Sequence, residues 1–181
     1  MLRIATTLIT LLSVVVVEAQ TLSLIPSPKS VVCYDGVYKL NTPLSVEYYS
    51  EELDDIVDYL SLYIPANKAT INGNIKLNVD TAFQEEQYRL DVSPLGIIIS
   101  AGDYGGVFNG IQTLFQLLPA SIYTKHTIHS IELPYCTIED SPKYAHRGFM
   151  LDVCRTWMDK ESVIELIDLL AYHKINSLRL H

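Results

Sequence analysis

Asp152, Cys154 and Arg155 cluster at the C-terminal end of a short apolar strand, read as Gly148 to Val153, which would deliver them there. The Arg155 guanidinium is a rigid planar fork, able to bond two neighbouring hydroxyl groups at once or to pair with a carboxylate such as Asp152. Asp152 alternates with Cys154 along the strand, so its expected work is to orient Arg155 rather than to react. Cys154 has no nucleophile–base pair around it, and a small buried side chain is the expected role. Trp157 either lines a binding face or packs beneath the loop. His146 and Arg147 precede the strand and belong to its opposite end, where bracing is the expected task. A second stretch, Gly102 to Leu118, invites a phosphate-loop reading through Gly105, Gly106 and Gly110. It lacks both Gly-Lys-Ser/Thr and the dinucleotide spacing. A glycine-rich turn feeding an amphipathic helix is expected instead, with Val107, Ile111, Leu114, Phe115 and Leu118 against a sheet.

The elements that must position the polar cluster can be read from periodicity. Val163, Ile164, Ile167, Leu170 and Ala171 form one helical stripe, with Asp159 as N-cap and Glu161 favouring the positive end of the dipole. Lys174 and Asn176 close that helix, and Asn176 to His181 alternates as a second strand. Strand, helix and strand make one βαβ unit, hence a parallel pair. Upstream, Leu24 to Ile138 reads as a small α+β domain. Pro26 and Pro28 give it an extended start, and Val31 to Leu40 suggests a hairpin around Asp35-Gly36. Glu51 to Tyr63 has helical spacing and is stopped by Pro65. Ile75 to Val79 alternates as a strand, and Tyr88–Val92 with Gly96–Ser100 forms a hairpin. Leu133-Pro134 and Asp140-Ser141-Pro142 are expected to bracket the join between the two parts.

Three blocks carry a resemblance: His146-Arg147-Gly148, then Met150 to Arg155, then Ile167 to Asn176. In order and at this spacing they resemble the first barrel strand and helix of the family 20 glycoside hydrolases, the β-N-acetylhexosaminidases. Tyr88-Arg-Leu-x-Val and Gly110-x-Gln-Thr-Leu are similar to the small domain that precedes the barrel in that family. The fold class implied is an α+β N-terminal domain followed by the start of a (β/α)8 TIM barrel, cut after the second barrel strand. A complete barrel takes ~250 residues. By resemblance, Arg155 is a substrate-binding residue that holds the terminal sugar by its hydroxyls. His181 matches the second histidine of a His-x-His pattern and is a further substrate-binding candidate. Arg179 stands where the first histidine is common, a departure from the pattern.

The activity implied is exo-β-N-acetylhexosaminidase, releasing terminal N-acetylglucosamine or N-acetylgalactosamine with retention. The family uses the substrate's acetamido group as nucleophile, outside the usual two-carboxylate scheme. An aspartate holds that group while an adjacent glutamate protonates the leaving oxygen. Neither of that pair is expected within these residues, so the chain alone should be inactive and its barrel part should fold poorly. No catalytic residue, cofactor or metal is therefore expected here; no Cys/His spacing resembles a zinc site. The alternative reading is a short non-catalytic glycan-binding or interaction module.

The 181 residues carry a net charge of −8. Without basic clusters, that acidity argues against nucleic acid and against a polybasic membrane patch. Residues 1–19 read as a secretory signal: Arg3, an apolar run from Ile4 to Val17, then Val17-Glu18-Ala19. The run is shorter than the ~20 residues of a spanning helix, so no stable membrane anchor is expected. Residues 20–141 form the α+β domain and 142–181 the beginning of the barrel. Partners expected are terminal N-acetylhexosamines of glycans or glycolipids, with homodimerisation of the parent enzyme left open. A secreted or lysosomal destination makes the odd cysteine count notable, since Cys33, Cys136 and Cys154 cannot all pair internally. No Asn-x-Ser/Thr acceptor occurs, and no N-linked glycan is expected.

Overall fold

The computed structural model describes residues 22–124 and 129–181, and the stretch expected to be a signal, residues 1–19, lies outside them. One seven-stranded mixed sheet organises the first part. Its strands in chain order are β1 (Ser30–Asn41), β2 (Leu44–Glu47), β3 (Ala66–Ala69), β4 (Ile75–Val79), β5 (Tyr88–Ser93), β6 (Gly96–Ala101) and β7 (Ser130–Asp140). Across the sheet the order is β1-β7-β5-β6-β4-β2-β3. Pairing is antiparallel from β1 to β6 and parallel from β6 to β3.

Two helices cover one face of this sheet, α1 (Asp54–Ser61) and α2 (Tyr104–Leu117). They meet through Tyr59, whose ring lies 5.2 Å from that of Phe108 and 5.8 Å from that of Phe115. The core between helices and sheet is aliphatic: Leu90, Ile97, Ile99, Ile111 and Leu114 are all buried. Alternation along β5 turns Leu90 inward and Arg89 outward, where Arg89 pairs with Asp91 and Glu139 on the exposed side. The sheet is thus covered on one face, which suits the alternating pattern read from its strands.

The glycine-rich stretch serves packing. Asp103 caps α2, its Oδ1 accepting from the Gly106 N–H at 2.7 Å. A Cβ on Gly110 would stand 2.6 Å from Ile99 Cγ2, so glycine lets the helix lie close on β6. Gly96, at φ +119°, makes the tight turn between β5 and β6 where the hairpin is expected.

Three expectations are corrected. Val31 to Leu40 is no hairpin but part of the single long strand β1, with Asp35 and Gly36 in an irregularity of its ladder with β7 between Cys33 and Val37. Leu133-Pro134 lies inside β7 rather than in a linker. Proline is tolerated there because β5 pairs only with Cys136 to Asp140, leaving β1 alone beside Pro134. Helical spacing from Glu51 resolves into a 3-10 turn, Glu51–Leu53, followed by α1.

The second part is the expected βαβ unit: β8 (Gly148–Leu151), α3 (Lys160–Tyr172) and β9 (Ser177–Leu180), with β8 and β9 parallel. Asp159 is the N-cap of α3, accepting from the Ser162 N–H at 2.7 Å. That bond holds the Asp159 carboxyl below the usual carboxylate range. The C-terminus of α3 is a Schellman closure: Ile175 N–H reaches Leu170 O at 2.9 Å and Lys174 N–H reaches Ala171 O at 2.8 Å. Lys174 takes the left-handed position, φ 59°, usually given to glycine. Phe149, Met150, Ile164, Ile167 and Leu180 are exposed, so apolar faces of this unit are turned to solvent.

Candidate functional site

The C-terminal ends of β8 and β9 gather Asp152, Arg155 and His181. Backbone bonds set the frame: His181 N–H donates to Leu151 O, and His181 O accepts from the N–H groups of Val153 and Cys154. β8 stops at Leu151, two residues short of the expected Val153, because Asp152 turns the chain. Its Oδ1 accepts from the N–H of Cys154 at 3.1 Å and of Arg155 at 3.0 Å, a local alternative to the strand ladder. Oδ2 lies 3.1 Å from Arg155 Nε, the carboxylate pairing that the sequence set as the alternative to two sugar hydroxyls.

Arg155 is 83% exposed, so its ion pair adds little stability. The pair turns Nε toward Asp152. His181 Nδ1 stands 3.8 Å from Asp152 Oδ1, on the same carboxylate. Trp157 is 85% exposed and does not pack beneath the loop. Cys154 is exposed too, against the expectation of a buried side chain; it falls in the turn beyond β8.

The opposite end of β8 is tied to the seven-stranded domain. Arg147 Nη1 and Nη2 donate to the two carboxylate oxygens of Glu86 at 2.7 and 3.0 Å, and its Nε donates to Lys174 O at 2.7 Å. Asn176 completes the clamp, accepting from the Arg147 N–H and donating to Glu86 Oε1 and Ala145 O. Glu86 is held from behind, since Asp103 also accepts its backbone N–H. The bracing expected of Arg147 is therefore explicit, and its partner is Glu86. Hydrogen bonds from Arg147 hold the Glu86 carboxyl below its ordinary range.

Replacing Arg147 with lysine keeps the charge but loses the two-pronged grip, and stability should fall by about 1.5 kcal/mol. A carboxyl with a depressed folded-state pKa stabilises above its ordinary pKa and ceases to do so as pH falls through the depressed value. The urea midpoint gap between the native protein and Arg147→Lys should accordingly close in strong acid.

Deeper at this junction lies a group missed by sequence reasoning. Lys174 Nζ donates to Tyr88 Oη at 2.7 Å and to Asp140 Oδ2 at 3.0 Å. Tyr88 Oη is 2.6 Å from Thr113 Oγ1, which donates onward to Asn109 O. Burial lowers the Lys174 pKa, opposed by the Asp140 carboxylate. Burial also raises that of the Tyr88 phenol. The one local signal was a lysine, rather than glycine or asparagine, just past the end of a helix.

A sheet covered on one face by helices, leading into a strand–helix–strand unit with polar side chains at its C-terminal strand ends, sets the class: a small α+β domain joined to a parallel βαβ unit. The chain belongs to glycoside hydrolase family 20. Residues 21–141 match the model of Glycosyl hydrolase family 20, domain 2, and residues 144–181 that of Glycosyl hydrolase family 20, catalytic domain. A beta-hexosaminidase of Porphyromonas gingivalis is 32% identical over 173 residues, which are 88% of this chain and 22% of the relative. The N-acetyl-beta-hexosaminidase of Streptomyces plicatus, solved with thio-NAglucal, superposes at TM-score 0.79 with 34% identity, covering 87% of this chain and 34% of that one. An exo beta-N-acetylglucosaminidase of Vibrio harveyi, solved with N-acetylglucosamine, superposes at 0.76 with 28% identity, covering 87% and 25%. The chain spans between about a fifth and a third of the length of these relatives.

Proposed function

We propose that this chain is the leading part of an exo-β-N-acetylhexosaminidase that releases terminal N-acetylglucosamine or N-acetylgalactosamine from glycans or glycolipids. The observation that carries this reading is Arg155, paired with Asp152 at the C-terminal end of the first barrel strand in a family 20 chain. Active sites of βα-barrels stand at that end of the strands. Arg155 holds two hydroxyls of the terminal sugar, and His181, on the adjacent strand, approaches the same sugar. Asp152 pairs with Arg155 and lies 3.8 Å from His181. Hydrolysis proceeds with retention, the acetamido group of the substrate acting as nucleophile, and the Asp-Glu pair that handles it lies in the rest of the barrel.

The same reading assigns residues 1–19 to a cleaved signal, 20–141 to the α+β domain and 142–181 to the barrel, and places the enzyme in the secretory pathway, secreted or lysosomal. Among the described residues no helix is long and apolar enough to cross a membrane. In the whole enzyme the remaining barrel elements cover the exposed Phe149, Met150, Ile164, Ile167 and Leu180.

The test uses chromogenic N-acetylglucosaminide and N-acetylgalactosaminide with the protein carrying its complete barrel. Proton NMR identifies the first anomer released. Turnover with retention is expected, and none from the 181-residue chain alone. No turnover by the complete protein would sink the enzyme reading, and an inverted first product would sink the acetamido mechanism.

A further inference from the structure

Two cysteines that the site does not use face each other across one ladder. β1 and β7 are antiparallel, and Cys33 stands directly opposite Cys136, next to the Val32–Thr137 pair. Both belong to the covered face. Cys136 alternates with Ile138 and, like it, is buried; Cys33 is half-buried and packs on the same core. Directly opposed residues of an antiparallel pair hold their Cα atoms about 4.5–5.5 Å apart. A disulfide spans Cα separations of about 4.4–6.8 Å, so either kind of opposed pair suits it.

We propose that Cys33 and Cys136 are joined by a disulfide in the mature protein, and that Cys154 stays a thiol. The compartment this needs is the secretory one proposed above, and the pairing rests on that reading for its oxidant. Formation is a thiol–disulfide exchange. One cysteine thiolate attacks a disulfide of the glutathione or oxidoreductase class, releasing one of its thiols and leaving a mixed disulfide. The second cysteine, giving up its proton, displaces the other half. Two protein thiols are oxidised, and one external disulfide is reduced to two thiols.

Cys136 is almost fully buried in the folded sheet, and that burial, with Cys33 adding to it, pushes its thiol up to about 12. Once formed the bond is screened by the same burial. Its place explains what it does: β1 is an edge strand, and an irregularity after Cys33 divides its ladder with β7 into two stretches. The bond fastens the first stretch to β7 and closes a loop of about a hundred residues, long enough for a large restriction of the unfolded chain.

Two preparations test this. The complete protein is refolded in a mixture of oxidised and reduced glutathione, and separately recovered from the cells that make it naturally. Each is unfolded without reductant, alkylated and mapped by mass spectrometry. Expected in both are alkylated Cys154 and a linked Cys33–Cys136 peptide pair. Three alkylated cysteines after refolding, or a bridge to Cys154 in either preparation, would overturn the inference. A bridge in the glutathione mixture with three thiols in the cellular protein would support the pairing and refute the secretory reading. Cys33→Ala, Cys136→Ala and the double variant supply a second measure. Under oxidising conditions each should melt roughly 5–15 °C lower, the double no lower than the singles, with the difference from the native protein largely gone in dithiothreitol. Losses that add and survive reduction would reveal packing alone and count against the bond.

Discussion

Asp140→Ala should destabilise the protein by about 3–5 kcal/mol, the range expected when one partner of a buried ion pair is removed and the other left behind. The stranded group is Lys174, whose side chain is only 8% exposed. Without Asp140, Tyr88 Oη is the acceptor that remains, and its own proton is committed toward Thr113. The Lys174 ammonium also lies 4.8 Å from the Tyr88 ring centroid, a contact too weak to replace a carboxylate. Because Asp140 ends β7 while Lys174 follows α3, the loss is felt where barrel and domain meet.

Two further measurements separate this cause from general damage. In Asp140→Ala nothing opposes the effect of burial, and the Lys174 pKa drops further below its ordinary value near 10.5. Between that lowered value and about 10.5 the unfolded chain binds a proton that the folded one does not, so stability rises with pH across the window. The urea midpoint of Asp140→Ala should therefore recover part of its loss toward pH ~10, and more than the native protein gains. Adding Lys174→Met to Asp140→Ala removes the orphaned charge and should restore much of the stability. A double variant no better than Asp140→Ala would refute the account.

How much of this was legible before the structure depends on the range of the interaction. The βαβ unit was readable because each signal is local: a short apolar run from Gly148, a helical stripe, and Asp159 set to cap it. Asp152 and Arg155 were readable for the same reason, since the turn that joins them spans four residues. The junction was not. Glu86 and Arg147, or Asp140 and Lys174, are pairs whose meaning lies in the fold that brings them together, and Lys174 read only as the close of a helix. β2 and β3 are four-residue strands whose partners lie elsewhere in the chain, and they left no usable period. In β7, Pro134 looked like punctuation because sequence cannot say which ladder positions lack a second neighbour. Asp35-Gly36 misled in the opposite direction: a turn signal was real, but the chain used it to bend an edge strand rather than reverse it.

Replacing Arg155 with lysine in the complete enzyme should lower kcat/KM on the order of tenfold to a hundredfold while leaving the fold intact. The fold is spared because Arg155 is exposed and its pairing with Asp152 contributes little to stability. The activity suffers because an ammonium is a point donor. It can take the place of Nε beside Asp152 or reach one sugar hydroxyl, but it cannot do the first while presenting two N–H groups for the second. The loss corresponds to one charge-assisted hydrogen bond, roughly 1.5–3 kcal/mol. Asp152→Asn distinguishes gripping from mere charge. It keeps an acceptor for the Cys154 and Arg155 N–H groups but weakens the hold on Nε, so KM should rise with Arg155 still present. Thermal unfolding of each variant is measured beside its kinetics on the chromogenic substrate. Native-like kcat/KM in a folded Arg155→Lys would remove the sugar-binding role from Arg155 and leave its pairing with Asp152 as a surface feature of the barrel mouth.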